Sequence, residues 1–152
     1  MSGIYLVVWD KHGLLCYPGN ARVPHITLFY SKRNGNIHLS FLKHVASNTL
    51  ADIALYEARV ERIGYERFYD KRKRRDVYDI ILTLDVESEN FLRQYKKEVL
   101  DTNENCKKYL ESAGCPRIRY CTLDSEKDAN RVVDSLQCKL PFDISVVGIA
   151  LD

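Results

Sequence analysis

His25 and Thr27 are the residues whose types and spacing suit chemistry. They stand in the stretch Val23-Pro24-His25-Ile26-Thr27-Leu28-Phe29-Tyr30. An imidazole takes up or gives out a proton near neutral pH. A hydroxyl two residues further on can hydrogen-bond a phosphate oxygen. The two act together only if the segment is extended. Its β-branched and aromatic residues, opened by a proline at the first position a strand permits, predict that it is. Alternation then sets His25 and Thr27 on one face with Phe29 behind them, and Ile26, Leu28 and Tyr30 on the other. The plainer reading of the same residues is a strand with one half-buried histidine and an ordinary β-favouring threonine.

A second proline-led stretch invites comparison: Pro116-Arg117-Ile118-Arg119-Tyr120-Cys121-Thr122-Leu123. Aligned on Thr-Leu, Thr122 matches Thr27 and Tyr120 matches His25. Arg117 and Arg119 flank this second motif on the strand and are candidates for phosphate contact. Tyr5, Trp9 and Tyr30 are aromatic faces on which a base could stack, although Trp9, on a strand with apolar groups on both faces, is expected in the core. The run Lys71-Arg72-Lys73-Arg74-Arg75 reads either as a phosphate-attracting loop beside a cleft or as a solvated hairpin tip, and the solvated tip is favoured. His38 and Ser40 repeat the H-x-S spacing, but at a helix start. There, residues i and i+2 lie on different faces.

The elements that must position these groups follow from periodicity. Strands are expected over residues 4–9 and 24–30, separated by a loop with a Pro18-Gly19-Asn20 turn. Asn36 caps a helix from 37 to about 50. A strand over 53–63, slipping near Gly64 where a bulge is expected, and one over 77–86 form a hairpin with the basic run at its tip. A helical period runs from Ser88 to a closing Gly114, and Asp101-Thr102-Asn103 leaves open whether it is one helix or two. A strand over 116–123, a helix opened by Ser125-Glu126-Lys127-Asp128 in the manner of a capping box, and a strand over 141–151 complete the chain. The order β-β-α-β-β-α-β-α-β with short strand links implies α+β architecture with mainly antiparallel sheet.

Composition sets bounds. The 152 residues fit one domain, and 45% hydrophobic with 29% charged residues describe an ordinary soluble globular chain. A net charge of +2 is too small to argue for nucleic acid by itself. No apolar run approaches the roughly 18 residues of a membrane span. The N-terminus enters an apolar strand with no basic start and no cleavage site, so no signal peptide is expected. The five cysteines are odd in number, and no two have C-x-x-C spacing. They read as reduced thiols of a cytoplasmic protein. Neither they nor the four histidines cluster at ligand spacing, so no metal and no cofactor is expected.

With these motifs and this element order, the sequence resembles the 2H phosphoesterases across essentially the whole chain. That superfamily includes bacterial RNA 2′,3′-cyclic phosphodiesterases and viral enzymes that cleave 2′,5′-oligoadenylate or cyclic nucleotides. Its mark is two H-x-T/S motifs, one per lobe, on strands that face each other across a cleft. Pro24-His25-Ile26-Thr27-Leu28 fits the first motif; Tyr120-Cys121-Thr122 departs from the second by lacking its histidine. The resemblance implies one two-lobed domain over 1–152, with mainly antiparallel sheets and outer helices around a central cleft. It implies a metal-independent phosphodiesterase, monomeric and without a membrane partner, acting on a small nucleotide or oligonucleotide. His25, Thr27, Tyr120 and Thr122 would be catalytic, and Arg117, Arg119 and Tyr30 would bind substrate. Tyr120 would replace the second histidine as a hydrogen-bond donor or general acid, since a phenol with a reference pKa of about 10 is a poor base at pH 7. The alternative is a catalytically impaired nucleotide- or RNA-binding module of the same fold.

Overall fold

The computed structural model describes residues 3–16, 23–32, 39–102 and 104–151. The chain runs β1 (Gly3–Trp9), β2 (His25–Ser31), α1 (Leu39–Ile53), β3 (Glu57–Asp70), β4 (Arg75–Leu84), α2 (Val86–Thr102), α3 (Glu104–Tyr109), β5 (Leu110–Ser112), β6 (Arg117–Leu123), α4 (Glu126–Gln137) and β7 (Phe142–Leu151). It is an α+β fold. The strands of both expected lobes join in one seven-stranded antiparallel sheet, ordered β1-β7-β3-β4-β6-β2-β5. Because β1 also pairs with β2, the sheet closes on itself, and β5 extends the edge of β2 beyond the ring.

One face of this ring is apolar and carries the core. Ile4, Leu6, Ile26, Leu28, Ile80, Leu82 and Ile118 are fully or almost fully buried on it. They join Leu42 and Val45 of α1, Leu92 of α2, and Ala129 and Leu136 of α4 in a single cluster. Helix α4 starts where its sequence says it should: Ser125 accepts a hydrogen bond from the Asp128 amide.

Several boundaries differ from expectation. Helix α1 runs on to Ile53, so the following strand begins only at Glu57. That strand, β3, continues through Asp70 and pairs with β4 out to Asp70↔Arg75, where a loop was expected. Its irregularity lies between Val60 and Arg62 rather than at Gly64. The single helical period of 88–114 resolves into α2, α3 and the short β5. The Pro18-Gly19-Asn20 turn, Asn36 and His38 lie outside the described residues.

The basic run makes the turn between β3 and β4. Asp70 folds it by accepting from the Arg72 and Lys73 amides, and Arg74 takes a left-handed conformation with φ 54°. Lys73 and Arg75 both reach Asp124, just past the end of β6. The Lys73 contact is the main reason the Asp124 carboxyl sits below the usual carboxylate range. Two of the five cations are thus tied to the β6–α4 turn.

Candidate functional site

Registers fix which side chains share a face, because directly paired residues of an antiparallel ladder point the same way. Ile26 pairs with Ile118, and both are in the core. Their neighbours His25, Thr27, Arg117 and Arg119 therefore occupy the opposite face. His25 pairs with Val7, and Thr27 with Tyr5, so the outward residues of β1, Tyr5, Val7 and Trp9, belong to the same face. The expected pairing of His25 with Thr27 on one side is what the strand presents.

A bulge on each motif strand changes the alternation expected from sequence. In β2 the register steps from Ile4↔Phe29 to Tyr5↔Thr27, leaving Leu28 as the extra residue. The two residues of such a bulge lean to the same side. Leu28 and Phe29 are accordingly both fully buried. Phe29 is not behind His25 and Thr27 but in the core, and the half-buried Tyr30 turns to the His25 face.

In β6 the register steps from Ile80↔Cys121 to Ile81↔Arg119, so Tyr120 is the extra residue. Tyr120 and Cys121 are both buried in the core cluster, Tyr120 with 7% of its surface exposed. Thr122 is re-phased onto the face of Arg119. This corrects two expectations: Tyr120 does not open onto the face of His25, and Arg119 shares that face with Thr122 instead of alternating with it.

The binding partners on this face define what each group can do. His25 Nδ1 lies 2.8 Å from the Val23 carbonyl oxygen. Only a protonated Nδ1 makes that a hydrogen bond, which leaves Nε2 bare in the neutral ring. The Tyr5 ring packs edge-on against the imidazole, with centroids 5.0 Å apart. Gly3 leaves room for it: a Cβ there would lie 3.2 Å from the tyrosine's hydroxyl end. The Thr27 hydroxyl has no partner among the described residues.

Asp79 is the residue the sequence reading missed. It sits on β4 opposite Thr122, with only 4% of its surface exposed. Its Oδ1 accepts a 2.5 Å hydrogen bond from the Thr122 hydroxyl, and its Oδ2 lies 3.2 Å from Arg119 Nε. One buried carboxylate thus holds both groups. The single proton of Thr122 is committed to Asp79, so Thr122 faces outward with lone pairs. Arg119 spends one of five N–H donors there and keeps its outer edge for an anion. A signal existed: Asp79 interrupts an otherwise apolar strand, at a position where a charge is rarely buried unless paired.

Arg117 is engaged at the rim, in an exposed ion pair 2.7 Å from Glu66. Trp9 is 56% exposed, not in the core as expected. It follows Val7 along the same face, beyond the end of β2. Among the described residues, no three His, Cys, Asp or Glu side chains are grouped to hold a metal ion. No described helix is long and apolar enough to cross a membrane.

The fold and face define an antiparallel α+β domain that presents a histidine and an arginine–aspartate–threonine cluster on one side of a closed sheet. No family model, curated protein or solved structure matches the chain.

Proposed function

We propose that this face binds a phosphodiester of a small nucleotide or oligonucleotide and cleaves it without a metal, in the manner of the 2H phosphoesterases that the Pro24–Leu28 motif resembles. The observation that carries the reading is the gathering of His25, Thr27, Arg119 and Thr122 on one face. There the strands bearing them, β2 and β6, pair only at Ile26↔Ile118.

His25 Nε2 takes the proton from the attacking oxygen, a 2′-hydroxyl or a water. The new oxygen–phosphorus bond forms as the ester bond opposite it breaks. The departing oxygen takes its proton from solvent, since Tyr120 lies in the core. The Thr27 hydroxyl and the Arg119 guanidinium hold the phosphoryl oxygens where charge gathers. Asp79 keeps Arg119 in place and touches no substrate.

The buried Tyr120 favours a second reading, a module that holds the phosphodiester without turning it over, because the residue standing where the family has its second histidine then lies in the core, off the face.

Single-turnover cleavage of 2′,3′-cyclic, 2′,5′-linked and cyclic-oligonucleotide substrates, in chelator, separates the two. The enzyme reading expects cleavage that falls about 10²–10⁴-fold in His25→Ala, with binding largely kept, and binding weakened in Arg119→Gln. Ligand-induced stabilisation without cleavage supports the module. Neither cleavage nor stabilisation by any of these ligands would overturn both readings.

A further inference from the structure

A second basic site lies between α2, α3 and β5. It is a concave pocket of about 670 Å³, within the range of small-molecule sites. Five lysine and arginine side chains line it against two carboxylates, Asp101 and Glu111. Asp101 is already neutralised by Lys107, 3.1 Å away. Outside the lining, Glu89 is held by Arg93 and by the Cys115 thiol. The balance of the pocket is positive.

Its most telling member is Lys96, with 3% of its surface exposed. Buried lysines ordinarily carry a carboxylate partner. Among the described residues Lys96 forms no ion pair, and its ammonium donates only to the Gly114 carbonyl. An ammonium has three donors, so two remain. Burial, with Arg93 nearby, pulls its pKa below that of a free lysine. Capping one carbonyl accounts for Lys96 alone. It does not account for the exposed Lys97 beside it, or for Lys32 reaching in from the end of β2 to the Lys107 carbonyl. Cations gathered around a buried ammonium repel one another, and an anion among them removes that cost.

We infer that this pocket is a binding site for a small multiply charged phosphate anion, held by Lys96 at its base with Lys97, Arg93 and Lys32 around it. The oligophosphate group is the recognised chemistry. It comes either as free inorganic oligophosphate or as the tail of a nucleotide. The inference does not depend on the histidine face.

The test is calorimetric titration of the intact chain with tripolyphosphate and with ATP, at two salt concentrations, in the parent, Arg119→Gln, Lys96→Met and Lys97→Gln. The expected result is a site in the parent that is unchanged in Arg119→Gln, weakened at least tenfold in Lys96→Met and several-fold in Lys97→Gln, and weaker at high salt. Equal affinity for the two probes assigns the site to the oligophosphate alone; tighter ATP binding assigns it to a nucleotide. If Lys96→Met does not fold, Lys97→Gln and Lys32→Gln carry the comparison. Absence of binding, affinity undiminished in the lysine variants, or binding of a short RNA with no response to either probe would overturn the inference.

Discussion

Replacing Thr122 by valine tests the anchoring of the candidate site directly. Valine keeps the shape and β-propensity of threonine and removes the one proton that satisfies Asp79 Oδ1 at 2.5 Å. A hydrogen bond to a charged acceptor contributes about 1.5–3 kcal/mol. Asp79 is buried, but Thr122 itself is exposed, so water replaces part of the loss and about 1–2 kcal/mol is expected. For a domain of this size, that lowers Tm by about 2–8 °C. Urea unfolding should show a lower midpoint with an unchanged slope. Thr122→Ser, which retains the hydroxyl, should stay within about 0.5 kcal/mol of the parent. In an Asp79→Leu background the carboxylate is gone, and Thr122→Val should cost almost nothing. The double-mutant cycle then returns a coupling of about 1 kcal/mol or more. A full cost of Thr122→Val in the Asp79→Leu background would refute the argument that Thr122 is committed to Asp79. So would no cost in the parent. Thr122→Val should also weaken phosphodiester binding less than Arg119→Gln does, because its proton faces the protein.

Further outcomes follow from other groups. The pKa of Lys96 is lowered on folding, so between its folded value and that of a free lysine the unfolded chain binds more protons. Lys96 therefore contributes stability that rises with pH through that window, against the fall contributed by the buried Cys106 and Cys121 thiols, so in urea melts the stability of the parent relative to Lys96→Met should increase with pH. Burial pushes the Cys121 thiol up to about 11 and raises that of Cys106. An alkylating reagent at mildly alkaline pH should label the exposed Cys16, Cys115 and Cys138 first, with all five cysteines reacting only in denaturant. Ser125→Ala removes the N-cap of α4 and should cost about 1 kcal/mol by urea unfolding.

Much of the fold was legible because alternation and helical period are written in single residues. The apolar Tyr78, Ile80, Leu82 and Leu84 marked one face of β4, and Pro24 marked the entry to β2. What escaped was written in pairs. Neither bulge has a glycine to announce it; each is a step in register between two strands. Without that step, Tyr120 and Thr122 fall on one face and Arg119 on the other, which inverts the site. Asp79 was missed for the same reason: its role exists only beside Thr122 and Arg119, forty residues further along the chain. The outer half of β3 escaped because charges occupy both of its faces near the tip, which removes the alternation. Trp9 was misplaced because a strand paired on both edges can still leave its end residue in water.

The single Ile26↔Ile118 pair gives the ring a fastening that differs from all its others. The remaining strand contacts of the ring are ladders of several residues, which must be unzipped in sequence. Here one contact acts as a latch, and His25 and Arg119 stand next to it on opposite strands. An anion gripped by both would clamp the latch shut, so binding at this face would be felt as a tightening of the whole barrel, and its release as a loosening. Amide hydrogens far round the ring would then report whether the site is filled.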